Sequence, residues 1–444
     1  MAPVLLKLLI DTNVIIPLDP TRPADLHDNT SRATELQNLA SEIHAQLWIH
    51  PAAMLDLARD TDENRRSMRQ QLLRKYLTLE NPPGDRQIET IVGAAANEND
   101  WVDNQLLAAL IGDAVDYLVT EDLRISRKAR ALGIEQRVFT IAAAIAHLRG
   151  LFDRAPQPPP AVRSAKAYEL DLADPILDSF RADYDGFNGW LQKCRREHRQ
   201  TWIIDADGRH AAFAIVNEEQ DATQTEGEKT LKICSFKVAP EHRGFRFGEL
   251  LLKAIFRYAE ANRYATIFVT SFPKQEDLIA LFEDFGFIPD EKRLANGEVK
   301  FRKSLRPEQR DSESLDPLTF NVRFGPAAVS LRGASVYLVP IQPRYCDYLF
   351  PETTIALPLF TGYFAFGNGL RKAYLCNSST RTIKRGDVIV FYRSEIAQGI
   401  VATGIIEQTL VSRSAEDIAR TVGKRTVYRF TEIQELCAKR DVLT

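Results

Sequence analysis

The hydrophobic pattern of this chain changes character twice along its length. Near the start, short continuous apolar runs alternate with longer stretches of small and charged residues. Residues 4–10 form the first run, 47–50 the second and 115–120 the third, and mostly apolar segments of this length predict strands buried on both faces. Between them the spacing predicts a helix over 31–42, another entered through Pro51, which suits a first helical turn, and a third opening at Asp103. Strands alternating with helices predict a parallel sheet whose functional edge lies at the strand C-termini.

In the middle of the chain, alternation replaces continuous apolarity. Residues 230–238 predict a strand, 239–248 a Gly-containing turn, 249–262 an amphipathic helix and 267–269 another strand. From about residue 319 the pattern is mostly β, with strands expected at 334–341, 355–366, 387–392 and 399–406. Two breaks separate the regions. Pro156-Gln157-Pro158-Pro159-Pro160 cannot continue a helix and favours an extended spacer, and residues 306–317 are charged, apolar-poor and bracketed by Pro307 and Pro317. The expected division is 1–152, a linker at 153–164, 165–305, a linker at 306–318, and 319–444, with no internal repeat. A multidomain α/β protein is predicted.

Composition narrows the class. The 444 residues are 45% hydrophobic and 26% charged, as in soluble globular proteins. No apolar stretch is long enough for a bilayer, and the N-terminus lacks a signal-peptide pattern, so a cytoplasmic location is expected. The five cysteines have no metal-finger spacing and read as reduced thiols. The net charge of −3 conceals an asymmetry: the two earlier regions are acidic, whereas Lys and Arg outnumber Asp and Glu from residue 319 onward. A basic module of this kind can attract a polyanion.

Four carboxylates fall at the expected strand-end edge: Asp11, Asp56, Asp103 and Asp122. Each alone could simply cap a helix. Together they suit a hard divalent ion, which prefers oxygen ligands and whose bound water can attack a phosphodiester. The segments Ile10-Asp11-Thr12-Asn13, Asp103 to Ala108 and Leu118-Val119-Thr120-Glu121-Asp122 resemble the opening, central and closing motifs of the PIN-domain nucleases, with Asp56 where that family usually has glutamate. The resemblance implies an α/β/α parallel sheet and Mg²⁺- or Mn²⁺-dependent cleavage of single-stranded RNA. It further implies Asp11, Asp103 and Asp122 as ligands, Thr120 as a supporting hydroxyl, and Asn13 and Glu121 farther out. Arg65, Arg66, Arg69, Arg74 and Lys75 are either phosphate contacts or a solvated helix face.

In the middle region, a strand, a Gly-containing turn and a helix N-terminus together predict an anion site. Arg243-Gly244-Phe245-Arg246-Phe247-Gly248 resembles the acetyl-coenzyme A signature of the GNAT acyltransferases, with Arg246 standing where a glycine is usual. The Arg246 side chain must turn away from a pyrophosphate or add its charge to it. The resemblance implies an α+β domain binding acetyl-coenzyme A (acetyl-CoA) through Phe236, Val238, Arg243, Gly244, Arg246 and Gly248. The position matching the family's proton-donating tyrosine is Phe282, and a phenyl ring has no proton to give. Water, Ser235 or another donor must serve if the domain turns over. His242 reads as a solvated loop residue and Cys234 as a packed thiol.

In the C-terminal region, residues 382–392 carry a basic turn into an apolar strand, and 402–407 return beside it. The pattern resembles the small β-barrels of the PUA/ASCH superfamily. That implies RNA contacts by Arg371, Lys372, Arg381, Lys384, Arg385 and Arg393, with Tyr374 or Tyr392 for stacking, although these tyrosines equally suit a core. Lys424-Arg425 and Lys439-Arg440 extend the charge.

Three functions compete. The leading expectation is a metal-dependent ribonuclease of toxin or stress-response type acting on tRNA or another structured RNA, with a GNAT-like domain that acetylates or senses acetyl-CoA, and with an antitoxin or regulatory protein as possible partner. The alternative is an acetyltransferase modifying a protein or aminoacyl-tRNA, with the flanking regions as RNA-docking modules. The third is a non-enzymatic scaffold.

Overall fold

The computed structural model describes residues 6–21, 29–58, 62–152, 162–206, 208–219, 228–353, 369–395 and 398–444. The N-terminal region contains β1 (Lys7–Ile10), α1 (Thr12–Leu18), α2 (Asn29–Glu42), β2 (Gln46–Ile49), α3 (Pro51–Ala58), α4 (Glu63–Leu73), β3 (Leu77–Thr78) and α5 (Arg86–Val92). It continues with α6 (Glu98–Ile111), β4 (Tyr117–Val119), α7 (Leu123–Ala131), β5 (Val138–Phe139) and α8 (Ile141–Leu151). Its sheet is parallel, in the order β3-β2-β1-β4-β5. The chain therefore builds outward from β1 on one side and later returns on the other, which makes the β1/β4 boundary the point where strand order reverses. Asp11 and Thr120 directly follow these two strands.

Helix caps place the flanking carboxylates. Asp11 accepts from the Thr12 amide and starts α1; Asp122 accepts from the Arg124 amide and starts α7. Asp103 does not open its helix as expected. Asn97 caps α6 instead, through the Asp100 amide, and sets Asp103 more than a turn inside.

The middle region contains β6 (Val162–Lys166), α9 (Asp178–Asp183), α10 (Phe187–Arg196), β7 (Gln200–Ala206), β8 (Arg209–Glu218) and β9 (Thr230–Val238). Beyond these lie α11 (Phe247–Ala261), β10 (Thr266–Ser271), α12 (Glu276–Asp284), β11 (Ile288–Pro289) and β12 (Val299–Ser304). The sheet order is β11-β12-β10-β9-β8-β7-β6, antiparallel except for the parallel pair β9/β10. The α11 and α12 helices bury Leu251, Ile255 and Phe282 against one face; α9 and α10 bury Leu191 and their neighbours against Ile203 and Phe213 on the other. Residues 162–164 of the expected first linker thus belong to β6, whereas 153–161, including the proline run, lie outside the described residues. The expected second linker is helical, with α13 (Gln309–Ser314) and the start of α14 (Pro317–Phe324). Asp316 caps α14, and the buried Lys303 ammonium donates to the Val322 and Arg323 carbonyls at its far end.

The C-terminal region contains β13 (Val336–Ile341), α15 (Pro343–Leu349), β14 (Val388–Arg393), β15 (Gly399–Ile405), β16 (Val411–Ser412), α16 (Ala415–Val422), α17 (Phe430–Lys439) and β17 (Val442–Leu443). Among the described residues these strands form a three-stranded β13-β14-β15 sheet and a separate β16-β17 pair, so the expected barrel is not seen closed. The expected strand at 355–366 lies outside the described residues. One apolar core runs from β1 and β4 into α16 and α17, joining the first and last regions of the chain. Tyr117 of β4 donates its hydroxyl to the Ala419 carbonyl of α16 across that junction.

Candidate active sites

At the β1/β4 boundary the structure brings Asp11, Asn13, Thr120 and Glu121 into one hydrogen-bonded group. Asp11 Oδ2 accepts from Asn13 Nδ2 at 2.6 Å and from Thr120 Oγ1 at 2.7 Å. Asn13 Oδ1 accepts from the Glu121 amide at 3.1 Å, and Glu121 accepts from the Ile141 amide of α8 at 2.8 Å. Burial pushes the Asp11 carboxyl up despite these donors. Burial first, and then the Asp122 and Asp11 charges, push Asp103 up to about 7. Its Oδ2 is buried without a hydrogen-bond partner. Asp122 behaves differently: burial alone would raise its carboxyl, but Arg124 binds it at 2.7 Å and holds it below the usual range.

Asp56 lies on α3, and its side chain is outside the described residues. Among the described residues, no group of three or more His, Cys, Asp or Glu side chains is arranged to hold a metal ion. Of the three expected ligands Asp11, Asp103 and Asp122, the last already has Arg124 as its counter-charge. Arg65, Arg66 and Arg69 lie on α4, Arg66 near Glu63 at 3.6 Å, and Lys75 pairs with Asp19.

The middle region offers a second strand-end pocket of opposite character. After β9 the chain turns through Gly244, at φ +81°, and Arg246, at φ +61°, before α11 begins at Phe247. Left-handed residues beside a helix start turn successive backbone N–H groups into a concave anion cradle, and the first-turn amides of α11 add to it. The backbone at Gly248 runs close to α12: a Cβ there would lie 2.7 Å from Leu281 Cδ2, so a larger residue must displace that side chain. The Arg246 side chain turns away from the cradle. It donates to both Glu249 oxygens, at 2.7 and 2.6 Å, and to the Arg371 carbonyl at 2.6 Å. Thr140, which caps α8, donates to the Arg243 carbonyl at 3.2 Å, so the cradle also borders the N-terminal region.

Next to the cradle the sheet opens. The parallel β9/β10 ladder ends at the pair Ile233–Val269, whereas β9 continues to Val238 paired with β8. Beyond Ile233 the backbone of β9 has no ladder partner on its β10 side, and an extended ligand with amide groups can pair there. Phe236 and Val238 belong to this stretch, with Phe236 edge-on to Phe282 at 5.3 Å between centroids. Phe282 is fully buried core. Burial pushes the Cys234 thiol up to about 12, so it is not a nucleophile near neutrality.

The family comparison bears on this pocket. A family model described as "Acetyltransferase (GNAT) family" matches residues 164–287. Those residues are a GNAT acetyltransferase domain. Solved structures similar to the GNAT domain include a ribosomal-protein-alanine N-acetyltransferase from Brucella melitensis, at 17% identity over 32% of this chain and 99% of that one, with a TM-score of 0.26. An N-acetyltransferase from Staphylococcus aureus Mu50 matches at 17% identity over 33% of this chain and 98% of that one, TM-score 0.26. A GNAT family acetyltransferase from Elizabethkingia anophelis with acetyl-CoA bound matches at 12% over 32% and 97%, TM-score 0.25. No curated protein matches the chain.

Sequence reasoning located the cradle but missed groups around the GNAT domain's open sheet. Tyr184, at the end of α9, donates to Glu298 Oε1 at 2.9 Å, and its ring lies 5.4 Å from Phe272. These three residues are far apart in sequence, and nothing in their local patterns links them. The C-terminal cations are largely engaged inside the molecule. Arg371 pairs with Glu407 at 2.9 Å and its amide donates to Glu249; Arg393 pairs with Asp347 at 2.9 Å; Arg425 pairs with Glu135 at 2.6 Å. Arg381 approaches Asp441 at 3.6 Å, Lys372 lies over the Phe350 ring, and Lys384 and Arg385 are exposed. Tyr374 donates to the Pro340 carbonyl and packs on Phe391, and Tyr392 bonds Gln398. No helix among the described residues is long and apolar enough to cross a membrane.

Proposed function

We propose that this protein transfers an acetyl group from acetyl-CoA to an amine, on a protein or an aminoacyl-tRNA, with its flanking regions docking the acceptor. The supporting observation is the continuity of the anion cradle at 243–248 with the parting of β9 from β10. The cradle suits a pyrophosphate, and the unpaired edge of β9 suits the amide-bearing arm that follows it. Calorimetry with acetyl-CoA tests the reading. The unaltered protein should bind, and Gly248→Glu should weaken binding at least about a hundredfold, because it clashes with Leu281 and puts a carboxylate on the helix's own anion site. Absence of binding by the unaltered protein sinks the proposal.

A second reading, metal-dependent RNA cleavage in the N-terminal region, is favoured by one observation. A buried Asp103 oxygen without a partner, on a carboxyl pushed up first by burial and then by Asp122 and Asp11, suits a site where a cation could settle. Mg²⁺ or Mn²⁺ would be held by Asp11, Asp103 and Asp122 after Arg124 releases Asp122, and would supply an activated water. Asp11→Asn with Asp122→Asn should then abolish Mn²⁺-dependent cleavage of single-stranded RNA while leaving acetyl-CoA binding intact. Cleavage by pure protein that survives both changes removes this reading.

A further inference from the structure

Phe282 stands on α12 where the GNAT resemblance implies a proton-donating tyrosine, and the structure offers a hydroxyl on the opposite face of the sheet. The α9 helix carries Phe180 and ends at Tyr184, with ring centroids 6.3 Å apart. Phe180 lies under the ammonium of Lys237, which is on β9 beyond the point where the ladder stops. Tyr184 lies against Phe272, which directly follows β10. The aromatic pair therefore lies across the ends of the two strands, Phe180 on the β9 side and Tyr184 against the end of β10, with the Tyr184 hydroxyl reaching Glu298 at the start of β12.

That hydroxyl is held in place. It donates at 2.9 Å to Glu298, a buried carboxylate just before β12, whose other oxygen accepts from Asn296 Nδ2 at 2.9 Å. Burial, and then the bond to Glu298, raise the Tyr184 phenol above its ordinary value, so the hydroxyl keeps its proton at neutral pH. Lys237 rests over Phe180 and Lys274 over Phe272, at 5.8 and 5.7 Å from the ring centroids.

We propose that Tyr184 and Glu298 form the proton path of the acetyl transfer, a role that rests on the acetyltransferase reading above. The amine nitrogen bonds to the thioester carbon as Glu298 takes its proton. The carbon–sulfur bond then breaks, and Tyr184 gives its hydroxyl proton to the departing thiolate. Glu298 returns a proton to Tyr184 along their existing hydrogen bond, so the net change is one proton from amine to thiol. Each transfer is of the general acid–base kind.

The test uses the full chain, acetyl-CoA, and a pooled set of amino-acid amides as amine probe, with thiol release read by a chromogenic disulfide and cofactor binding by calorimetry. Tyr184→Phe keeps the ring contacts with Phe180 and Phe272. It should bind acetyl-CoA within about twofold of the unaltered protein, yet lose about a hundredfold in kcat with little change in KM. Glu298→Gln, whose amide cannot take up a proton, should likewise lose about a hundredfold in kcat while binding acetyl-CoA within about twofold, a split that mere loosening of the loop does not give. If the unaltered protein does not bind acetyl-CoA, the acetyltransferase reading falls and takes the proton path with it. If it binds but releases no thiol above background, or if Tyr184→Phe binds and releases thiol at the unaltered rate, the proton path alone is overturned.

Discussion

Two pockets at strand C-termini treat charge in opposite ways. At the β1/β4 boundary, acidic side chains crowd together with incomplete compensation: Asp103 keeps a bare buried oxygen, and Asp11 and Asp103 are both pushed up. At the β9–α11 turn, backbone amides line the cradle, while Arg246 spends its guanidinium on Glu249 and on the carbonyl of Arg371. One pocket leaves an acidic oxygen without a donor although Arg124 binds its neighbour Asp122, and the other lines its floor with main-chain N–H groups. Parallel strands ending beside helix starts provide the geometry in both, and the side chains set the sign.

The difference can be broken first at Arg246. Burial would raise the Glu249 carboxyl, but the Arg246 charge and the Arg371 amide more than offset it and hold Glu249 ionised. Arg246→Ala strands that carboxylate in a buried interface and should cost about 3 kcal/mol, seen as an earlier urea midpoint of the full chain. Arg246→Ala with Glu249→Gln should recover part of the loss, since no charge is then left unpaired. Acetyl-CoA affinity should move less than about fivefold in either variant, because the guanidinium faces away from the cradle. A hundredfold fall in affinity with stability unchanged would show that Arg246 serves the ligand and would erase the contrast.

Much of this contrast was legible in the sequence. Residues 230–262 announce strand, turn and helix through alternation, two glycines and an amphipathic run, and β9 and α11 stand within two residues of those bounds. The strands before Asp11 and Asp122 are equally plain, because continuous apolarity has few other uses at that length. Asp103 was set at a helix start because it precedes the apolar run Leu106-Leu107-Ala108. The actual cap, Asn97 with Asp100 three residues on, is a local signal that was present in the sequence.

What local pattern could not show is where charges from distant segments meet. The basic excess after residue 319 suggested a polyanion. In the fold, Arg420 instead reaches Asp113 at 2.9 Å, Arg425 reaches Glu135, and Arg371 reaches Glu407 and approaches Asp284 at 3.9 Å. Arg127 and Arg130 of α7 likewise grip α12 through Glu276, Asp277 and Asp284. Acidic early regions and a basic late one thus complement each other within the chain. Lys384 and Arg385 are exposed. The Tyr184–Glu298 contact was invisible for the same reason: it is made by tertiary structure between segments 114 residues apart.

The smallest effect sharpens the acidic side of the comparison. Asp103 has its folded pKa raised from 3.8 to about 7. In the unfolded chain it ionises near the ordinary value, so between about pH 4 and 7 the native state holds the extra proton. Its contribution to stability is fully present below pH 4 and is lost as pH rises through 7. Asp103→Asn removes the ionisation and should leave the protein more stable than the parent at pH 8, by about 1 kcal/mol once solvent screening is allowed for, with little difference at pH 4. Thermal melts at the two pH values measure it. Adding Mn²⁺ at pH 8 gives the matching sign test. An ion that settles among these carboxylates must lower the Asp103 pKa and raise the parent's melting temperature, and Asp103→Asn should blunt that rise. An equal rise in both proteins would place the ion elsewhere, leaving the bare oxygen of Asp103 as uncompensated burial beside an otherwise capped pair of helices.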